Sequence, residues 1–223
     1  MLILKRGVAA LTVAVVLLGS ASSVHADTPW ADPTGTADYF DWANGRNTDT
    51  NFFGSPTLVG GNAFRFSPID FRAEALDGAT SSASDTATWD VTAHAGVEFT
   101  EVRIIEHGDY SISGSHADNS TSVTTNVAAG IYGAANDYQE WTTEGAGPWS
   151  VDLTIDLSDV FPPVTAMEIS VQNDLLAVSG GAGNVCWIEK KFTGAIIDVF
   201  VVPEPATALM LTLGGLALIR RRR

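Results

Sequence analysis

The chain has 223 residues, of which 45% are hydrophobic and 17% are charged, and this balance indicates a folded protein rather than a disordered or fibrous one. The net charge of −14 argues against nucleic acid or an anionic membrane surface as the main partner. The single cysteine, Cys186, excludes an intrachain disulfide and any multi-cysteine metal site.

The N-terminal segment, residues 1–26, has the layout of a secretory signal peptide. Lys5 and Arg6 form the positive n-region, residues 8–18 form the apolar h-region, and Val24-His25-Ala26 is a small-x-small cleavage site. An apolar run of about a dozen residues is too short to cross a ~30 Å hydrocarbon layer as a helix. The sequence therefore predicts export across the inner membrane and cleavage after Ala26.

The middle of the chain, residues 27–202, is dominated by a two-residue hydrophobic period. In residues 149–157 every odd position is apolar and every even position is polar, as a half-buried antiparallel strand requires. Residues 185–188 and 196–202 are apolar on both faces, which is typical of central strands. No helical period of useful length occurs between the strands. The sequence predicts an acidic all-β domain, an antiparallel two-sheet β-sandwich of the jelly-roll type.

Three parts of this domain carry more detailed expectations. Val97 and Phe99 are odd whereas Val102 and Ile104 are even, so we expect a bulge or kink near residues 100–101. We also expect a long irregular stretch at residues 27–58. The segments rich in Ser, Thr and Asp are expected to be exposed hairpin loops, and they are residues 80–88 and 115–125.

The catalytic inventory of the domain is thin. The motifs GxSxG, HExxH and GxxxxGK[ST] are absent from the sequence. His94 and His116 are expected on the solvated surface, and Glu106 and His107 point to opposite faces because they are adjacent in a strand. Cys186 is expected to be a small buried hydrophobe. We therefore expect a non-enzymatic protein, with a secreted hydrolase acting on an extracellular polymer as the alternative.

Ligand sites are less defined than the fold. No cofactor is expected. Binding of Ca²⁺ by acidic loops is an open alternative, and the residues that would bind the metal are unknown. The best local candidate, residues 47–51, lacks the glycine and glutamate of an EF-hand loop, so an Asx-rich turn is favoured. Trp42 and Trp141 lie among polar neighbours and are expected to be exposed. Their rings are candidates for contact with extracellular polysaccharide, whereas most other aromatic side chains are expected in the core.

The C-terminal tail, residues 203–223, has three parts. Its prolines keep the residue between them extended. The uncharged segment at residues 206–219 predicts a short membrane helix of ~21 Å. The basic end is expected to stay in the cytoplasm by the positive-inside rule. The motif consists of Pro203, Glu204 and Pro205, and the basic cluster of Arg220, Arg221, Arg222 and Arg223.

In this order, the three parts resemble the PEP-CTERM sorting signal of Gram-negative bacteria, and the resemblance covers only the tail. In that family the tail is a substrate of exosortase, a membrane-embedded transpeptidase-like enzyme, and its carriers are associated with extracellular polymer and biofilm matrix. The resemblance implies an exosortase-type partner, transient inner-membrane insertion through the tail, and a cell-surface or extracellular location after processing. The whole sequence then suggests an exported surface or matrix protein that could bind polysaccharide.

Overall fold

The computed structural model describes residues 26–68, 70–190 and 197–203, and within these ranges the chain forms fourteen β-strands and no helix. The first seven are β1 (Thr28–Pro29), β2 (Gly35–Thr36), β3 (Phe40–Asn47), β4 (Thr57–Val59), β5 (Ala63–Phe66), β6 (Arg72–Leu76) and β7 (Thr80–Ala93). The others are β8 (Phe99–Ser113), β9 (Ser120–Ala129), β10 (Gly133–Trp141), β11 (Gly145–Asp156), β12 (Ala166–Val178), β13 (Val185–Lys190) and β14 (Ile197–Pro203).

The predictions for the two ends of the chain concern residues that lie mostly outside the described ranges. The signal segment up to residue 25 and the tail from residue 204 onward, with the expected membrane helix, lie outside the described residues. In the part that is described, there is no helix with the length and hydropathy needed to cross a membrane. Pro203 is described, and it is the last residue of β14.

The strands form two antiparallel sheets of seven strands each, which confirms the predicted β-sandwich. The first sheet has the order β1-β3-β7-β12-β9-β10, and β2 also pairs with β3. The second sheet follows the path β4-β5-β14-β8-β13-β6, in which β14 and β13 pair with successive parts of β8, residues 99–105 and 108–113. β11 also pairs with β8, along residues 101–112. The apolar run before residue 203 therefore forms a central strand, because β14 pairs with both β5 and β8.

The two-residue period of the sequence sets the two faces of each strand. In β12, Met167, Ile169 and Val171 are buried against the second sheet, whereas Glu168 and Gln172 are exposed on the outer face. Because successive side chains of a strand point to opposite faces, this alternation leaves one face apolar and the other solvated. The hydrophobic core therefore lies between the two sheets.

An aromatic cluster forms the centre of this core. The ring of Trp89 lies 5.2 Å from Phe64, 5.3 Å from Trp30 and 5.9 Å from Phe66, measured between centroids. All four side chains are buried, and their tilted and edge-on arrangements are those that aromatic rings prefer. The expectation that most aromatic residues belong to the core is correct.

The expected irregularity in β8 is also present. Pro203 pairs with Phe99, while Val202 pairs with Glu101, so Thr100 is an extra residue on β8. A one-residue insertion of this kind is a β-bulge, and it moves the apolar positions from odd to even numbers.

The expectation of a long irregular N-terminal stretch is wrong. Residues 27–58 contain β1, β2 and β3 and the start of β4. In β3 the register shifts between Ala43 and Arg46, and Asn44 has a φ of 57°. This break interrupts the alternation of apolar and polar residues in β3, so the sequence pattern does not predict the strand. Gly45 is required beside the core, because a methyl group on its Cα would lie 2.2 Å from the ring of Trp30.

The expectation that the segments rich in Ser, Thr and Asp are hairpin loops is correct for residues 115–119, which connect β8 and β9, and wrong for the rest. Residues 80–88 belong to β7, and residues 120–125 belong to β9. The inward positions of β7 carry Ala83, Asp85 and Ala87, which are buried although they are small or polar. Composition alone indicated a loop because these inward side chains lack the large apolar groups of an ordinary strand pattern.

Candidate binding face

Trp42 lies on β3 beside a cleft of about 370 Å³. Its ring packs edge-on to Phe64 with centroids 5.6 Å apart, and its Nε1 donates a 3.3 Å hydrogen bond to the carbonyl oxygen of Asp32. A methyl group on Gly35 would lie 2.1 Å from the ring, so β2 covers part of the indole. Trp42 is therefore half-buried rather than exposed.

Trp141 is the last residue of β10 and is also half-buried. Its ring stacks on Tyr110 of β8, with centroids 4.4 Å apart and an interplanar angle of 18°. This stack packs the end of β10 in the first sheet against β8 in the second sheet. The role of Trp42 and Trp141 in ligand contact stays a prediction, and each ring packs against an aromatic ring of the protein.

The histidines that follow the signal segment lie on separate parts of the surface. His94 Nε2 lies 3.3 Å from Asp41 Oδ1, and His116 is exposed in the loop after β8. His107 is exposed on the outer face of β8, whereas its neighbour Glu106 is completely buried. The adjacent Glu106 and His107 therefore point to opposite faces, as expected for strand residues.

The candidate calcium loop, residues 47–51, is occupied by hydrogen bonds within the protein. Asn47 Nδ2 donates to Asn51 Oδ1 at 2.6 Å and to the carbonyl oxygen of Gly54 at 2.8 Å. Asn47 Oδ1 accepts a 2.9 Å hydrogen bond from Trp30 Nε1. This is the bonding of an Asx-rich turn. Among the described residues, no group of three or more His, Cys, Asp or Glu side chains is arranged to hold a metal ion.

The buried carboxylate of Asp85 fixes the same turn from β7. It accepts hydrogen bonds from the backbone amides of Phe53 at 2.9 Å and Thr86 at 2.8 Å, and from the hydroxyl of Thr48. Asp85 is thus a structural anchor for the turn between β3 and β4.

The outer face of the first sheet presents a polar surface on β12, β9 and the edge strand β10. Asn136 of β10 pairs with Asn126 of β9, and Asn126 pairs in turn with Gln172 of β12, so three side-chain amides form one row across the sheet. A second row, two residues along the strands, contains Tyr138, Thr124 and Asp174. We call these six residues the amide face. The second sheet packs against the inner face of the first sheet, and none of the described strands covers the amide face.

Several polar groups of the amide face are available to a ligand. Gln172 Nε2 donates to Asp174 Oδ2 at 3.1 Å, and Asp174 Oδ1 accepts a 2.5 Å hydrogen bond from Ser84. The side chains of Asn126, Asn136 and Tyr138 make no hydrogen bond with the described part of the chain. Tyr138 is 56% exposed. The face therefore combines free amide donors and acceptors with an exposed aromatic ring.

A buried ion pair lies inside the sandwich, and the sequence analysis did not identify it. Lys190 Nζ of β13 donates a 2.7 Å hydrogen bond to Glu106 Oε2 of β8, and both side chains are fully buried. The hydroxyl of Thr125 donates to the same oxygen at 2.9 Å, and Asn173 Nδ2 donates to Thr125 Oγ1 at 3.2 Å. Burial lowers the pKa of Lys190, although Glu106 opposes that change.

Cys186 lies on the inward face of β13 and is fully buried, as expected. Burial raises the pKa of its thiol, because the charged thiolate is poorly solvated there. A neutral, inaccessible thiol is a packing residue rather than a nucleophile.

Comparison with known proteins gives only distant likenesses. No protein-family model and no curated protein matches the chain. One similar solved structure is TmCBM61 in complex with beta-1,4-galactotriose, at 16% identity and a TM-score of 0.27, with 79% of this chain and 99% of that chain covered. Infectious bursal disease virus Gx strain matches at 14% identity and a TM-score of 0.27, with 76% of this chain and 54% of that chain covered. A cyclase from Fischerella sp. TAU matches at 12% identity and a TM-score of 0.26, covering 81% of this chain and 98% of that chain. Likenesses at these TM-scores carry no functional argument.

Proposed function

We propose that this protein is an exported, non-enzymatic surface or matrix protein that binds polysaccharide through the amide face. The observation that supports the proposal is the row of Asn136, Asn126 and Gln172 across three neighbouring strands. Neighbouring strands lie ~4.8 Å apart, so the row places three amides over about 10 Å. An extended ligand with many polar groups fits such a row better than a small compact one.

The chemistry of the face suits sugar hydroxyl groups. Each side-chain amide offers a carbonyl acceptor and two N–H donors, and a sugar hydroxyl can bond to both kinds of group. The exposed ring of Tyr138 lies in the neighbouring row and offers an apolar face to a sugar ring. Asp174 and the net charge of −14 disfavour polymers of uronic acids, so a neutral polysaccharide is the expected ligand.

We extend the proposal to the type of sandwich, a jelly roll. Strands β6 to β13 supply two four-stranded orders, β6-β13-β8-β11 in the second sheet and β7-β12-β9-β10 in the first. Along the chain, these eight strands pass between the sheets as two interleaved Greek keys would require. The remaining strands extend the two sheets at the side of β3 and β14.

Sorting through the tail is the second part of the proposed function. The support is the sequence of the tail and the position at which the sandwich ends. Pro203 pairs with Phe99 at the end of β14, so Glu204 and Pro205 follow the last strand directly. An exosortase-type enzyme would then cut beside the folded domain, and the N-terminal signal segment would direct export.

Polysaccharide pull-down on the purified full-length protein, with calcium and with chelator, tests the binding function. We expect retention on a neutral polymer in both conditions, because the amide face needs no metal. The double variant Asn126→Ala/Tyr138→Ala should lose retention, and the matched outer-face variant Ser150→Ala/Thr154→Ala on β11 should keep it. Equal retention of both variants would contradict the proposed face. Release of new reducing ends from the polymer would contradict a non-enzymatic function.

Mass spectrometry of the protein isolated from the cell surface tests the sorting function. We expect a chain that starts at residue 27 and lacks residues 206–223. Replacement of Pro203-Glu204-Pro205 by alanines should keep the protein in the inner membrane. An uncut tail on the mature surface protein would contradict sorting by this signal.

A further inference from the structure

Glu106 and Lys190 meet because of the register between β8 and β13. Lys190 pairs with Gly108, so Glu106 is its diagonal neighbour two residues along β8, on the same inward face. Both residues continue apolar inward series, after Val102 and Ile104 in β8 and after Cys186 and Ile188 in β13. The strand pattern therefore delivers one amine and one carboxyl group to the same point in the core.

The buried Lys190–Glu106 pair has too few hydrogen-bond partners for its donors and acceptors. Among the described residues, Lys190 Nζ has one hydrogen-bond acceptor, Glu106 Oε2, while Glu106 Oε1 has none. The rings of Trp149 and Phe71 also lie near Nζ, with their centroids at 5.2 Å and 5.6 Å. A buried ion pair is stable only when further hydrogen bonds satisfy its remaining donors and acceptors. Here three N–H donors and two carboxylate oxygens share too few partners.

We propose that Lys190 Nζ and Glu106 Cδ are joined by an intramolecular amide bond, formed after the chain folds. The step is a condensation. A proton passes from the ammonium to the carboxylate, the neutral amine attacks Cδ, and a C–N bond forms. The C–O bond to Oε2 then breaks, and that oxygen leaves as water with the second proton from nitrogen. The products are one neutral amide and one water molecule, so the atoms and the charge balance.

The environment favours each part of this reaction. Burial lowers the pKa of Lys190, which increases the fraction of neutral, nucleophilic amine. The 2.7 Å separation of Nζ and Oε2 places the nitrogen beside the carboxyl group, and well-oriented intramolecular reactions reach effective concentrations of about 10⁵–10⁸ M. The hydroxyl of Thr125 donates to Oε2 and assists the departure of that oxygen. These factors favour condensation, although in aqueous solution an amine and a carboxylate normally stay separate.

The product also removes the imbalance of the site. The amide keeps one N–H donor and one carbonyl acceptor, and the two buried charges disappear. The bond would connect β8 with β13 covalently, next to the strand that leads to residue 203. A link at this position suits an exported chain that has a single cysteine and hence no disulfide of its own.

Peptide mapping of the purified full-length protein tests the bond. A protease that cleaves after glutamate separates the two residues, because Glu140, Glu144, Glu168 and Glu189 lie between them. We expect one joined pair of peptides whose mass is lower than the sum of its parts by one water, with no cleavage after Glu106. Separate peptides of unmodified mass would overturn the proposal. A joined pair that has lost ammonia, with Asn173 as the acyl group, would overturn the assignment to Glu106.

Two variants complete the test. Lys190→Met should abolish the joined peptides, whereas Lys191→Met, a change of the adjacent lysine, should leave them unchanged. Loss of the link in Lys191→Met and its survival in Lys190→Met would overturn the proposal. The wild-type peptide map decides the question by itself if Lys190→Met does not fold.

Discussion

The aromatic cluster between the sheets allows a quantitative test of the sandwich. The ring of Trp89 is fully buried and lies within 5.9 Å of Trp30, Phe64 and Phe66, measured between centroids. Trp89→Ala would leave a large cavity, which costs about 3–5 kcal/mol of unfolding free energy. For a domain of this size, that loss corresponds to a decrease in Tm of roughly 6–20 °C.

Two companion variants separate packing from polarity. Trp89 Nε1 is buried and has no hydrogen-bond partner among the described residues. Trp89→Phe removes this unsatisfied donor, whose burial costs about 1–3 kcal/mol, so its net loss should be well below that of Trp89→Ala. Thr88→Ala lies on the outer face of the same strand and should cost under about 1 kcal/mol.

Thermal melts followed by far-ultraviolet circular dichroism provide the measurement. The expected order of Tm is wild type, Thr88→Ala, Trp89→Phe and Trp89→Ala, from highest to lowest. Equal Tm values for Thr88→Ala and Trp89→Ala would refute the assignment of faces in β7, and with it the packing of the two sheets around this cluster.

Three further predictions concern single groups. Asp85→Ala should lower the unfolding free energy by about 3 kcal/mol in chemical denaturation, because the amide of Phe53 loses its buried carboxylate acceptor; a loss below about 1 kcal/mol would contradict the anchor role. Cys186 should resist a thiol reagent in the native protein and react fully in denaturant; rapid native labelling would show that the thiol is accessible. The hydrogen bond and charge of Arg103 lower the pKa of the exposed Asp152 in the folded protein. The pair therefore stabilises the fold above the pKa that Asp152 has in the unfolded chain, and this stabilisation is lost as the pH falls through the folded pKa of Asp152. Arg103→Met should thus have a small cost in unfolding free energy near pH 7, which disappears as the pH falls through the folded pKa of Asp152, and a cost that grows on acidification would contradict this pairing.

The strands with large apolar residues at alternate positions were predictable from the sequence. β11 and β12 follow the period of two, and the parity change before Val102 indicated the bulge at Thr100. Leu153 shows the limit of this reasoning. It is half-buried, although its period places it on the inward face with Val151 and Ile155, which are buried.

Other features depended on contacts that a local pattern does not contain. β7 and β9 carry Ala, Thr and Asp at inward positions, and only the pairing with neighbouring strands makes them strands. The exposure of Trp42 could not be derived either, because Gly35 and Phe64 reach it from other strands.

The buried pair was, in contrast, encoded in the period. Glu106 and Lys190 occupy inward positions by parity, since each follows an apolar residue at a distance of two. A charged residue that continues an apolar series is a signal for a buried partner of opposite charge. The amide row could also have been proposed from parity within each strand, but its alignment required the register of three strands.

Side-chain amide resonances provide the most direct test of polysaccharide binding at the amide face. The measurement is a ¹H–¹⁵N correlation spectrum of the labelled, purified protein during titration with a neutral oligosaccharide retained in the pull-down. We predict that the side-chain amide signals of Asn126, Asn136 and Gln172 shift together and saturate, with larger shifts than the indole signals of Trp42 and Trp141. Saturable shifts confined to those two indoles, or no shift at any of the three amides, would contradict the account.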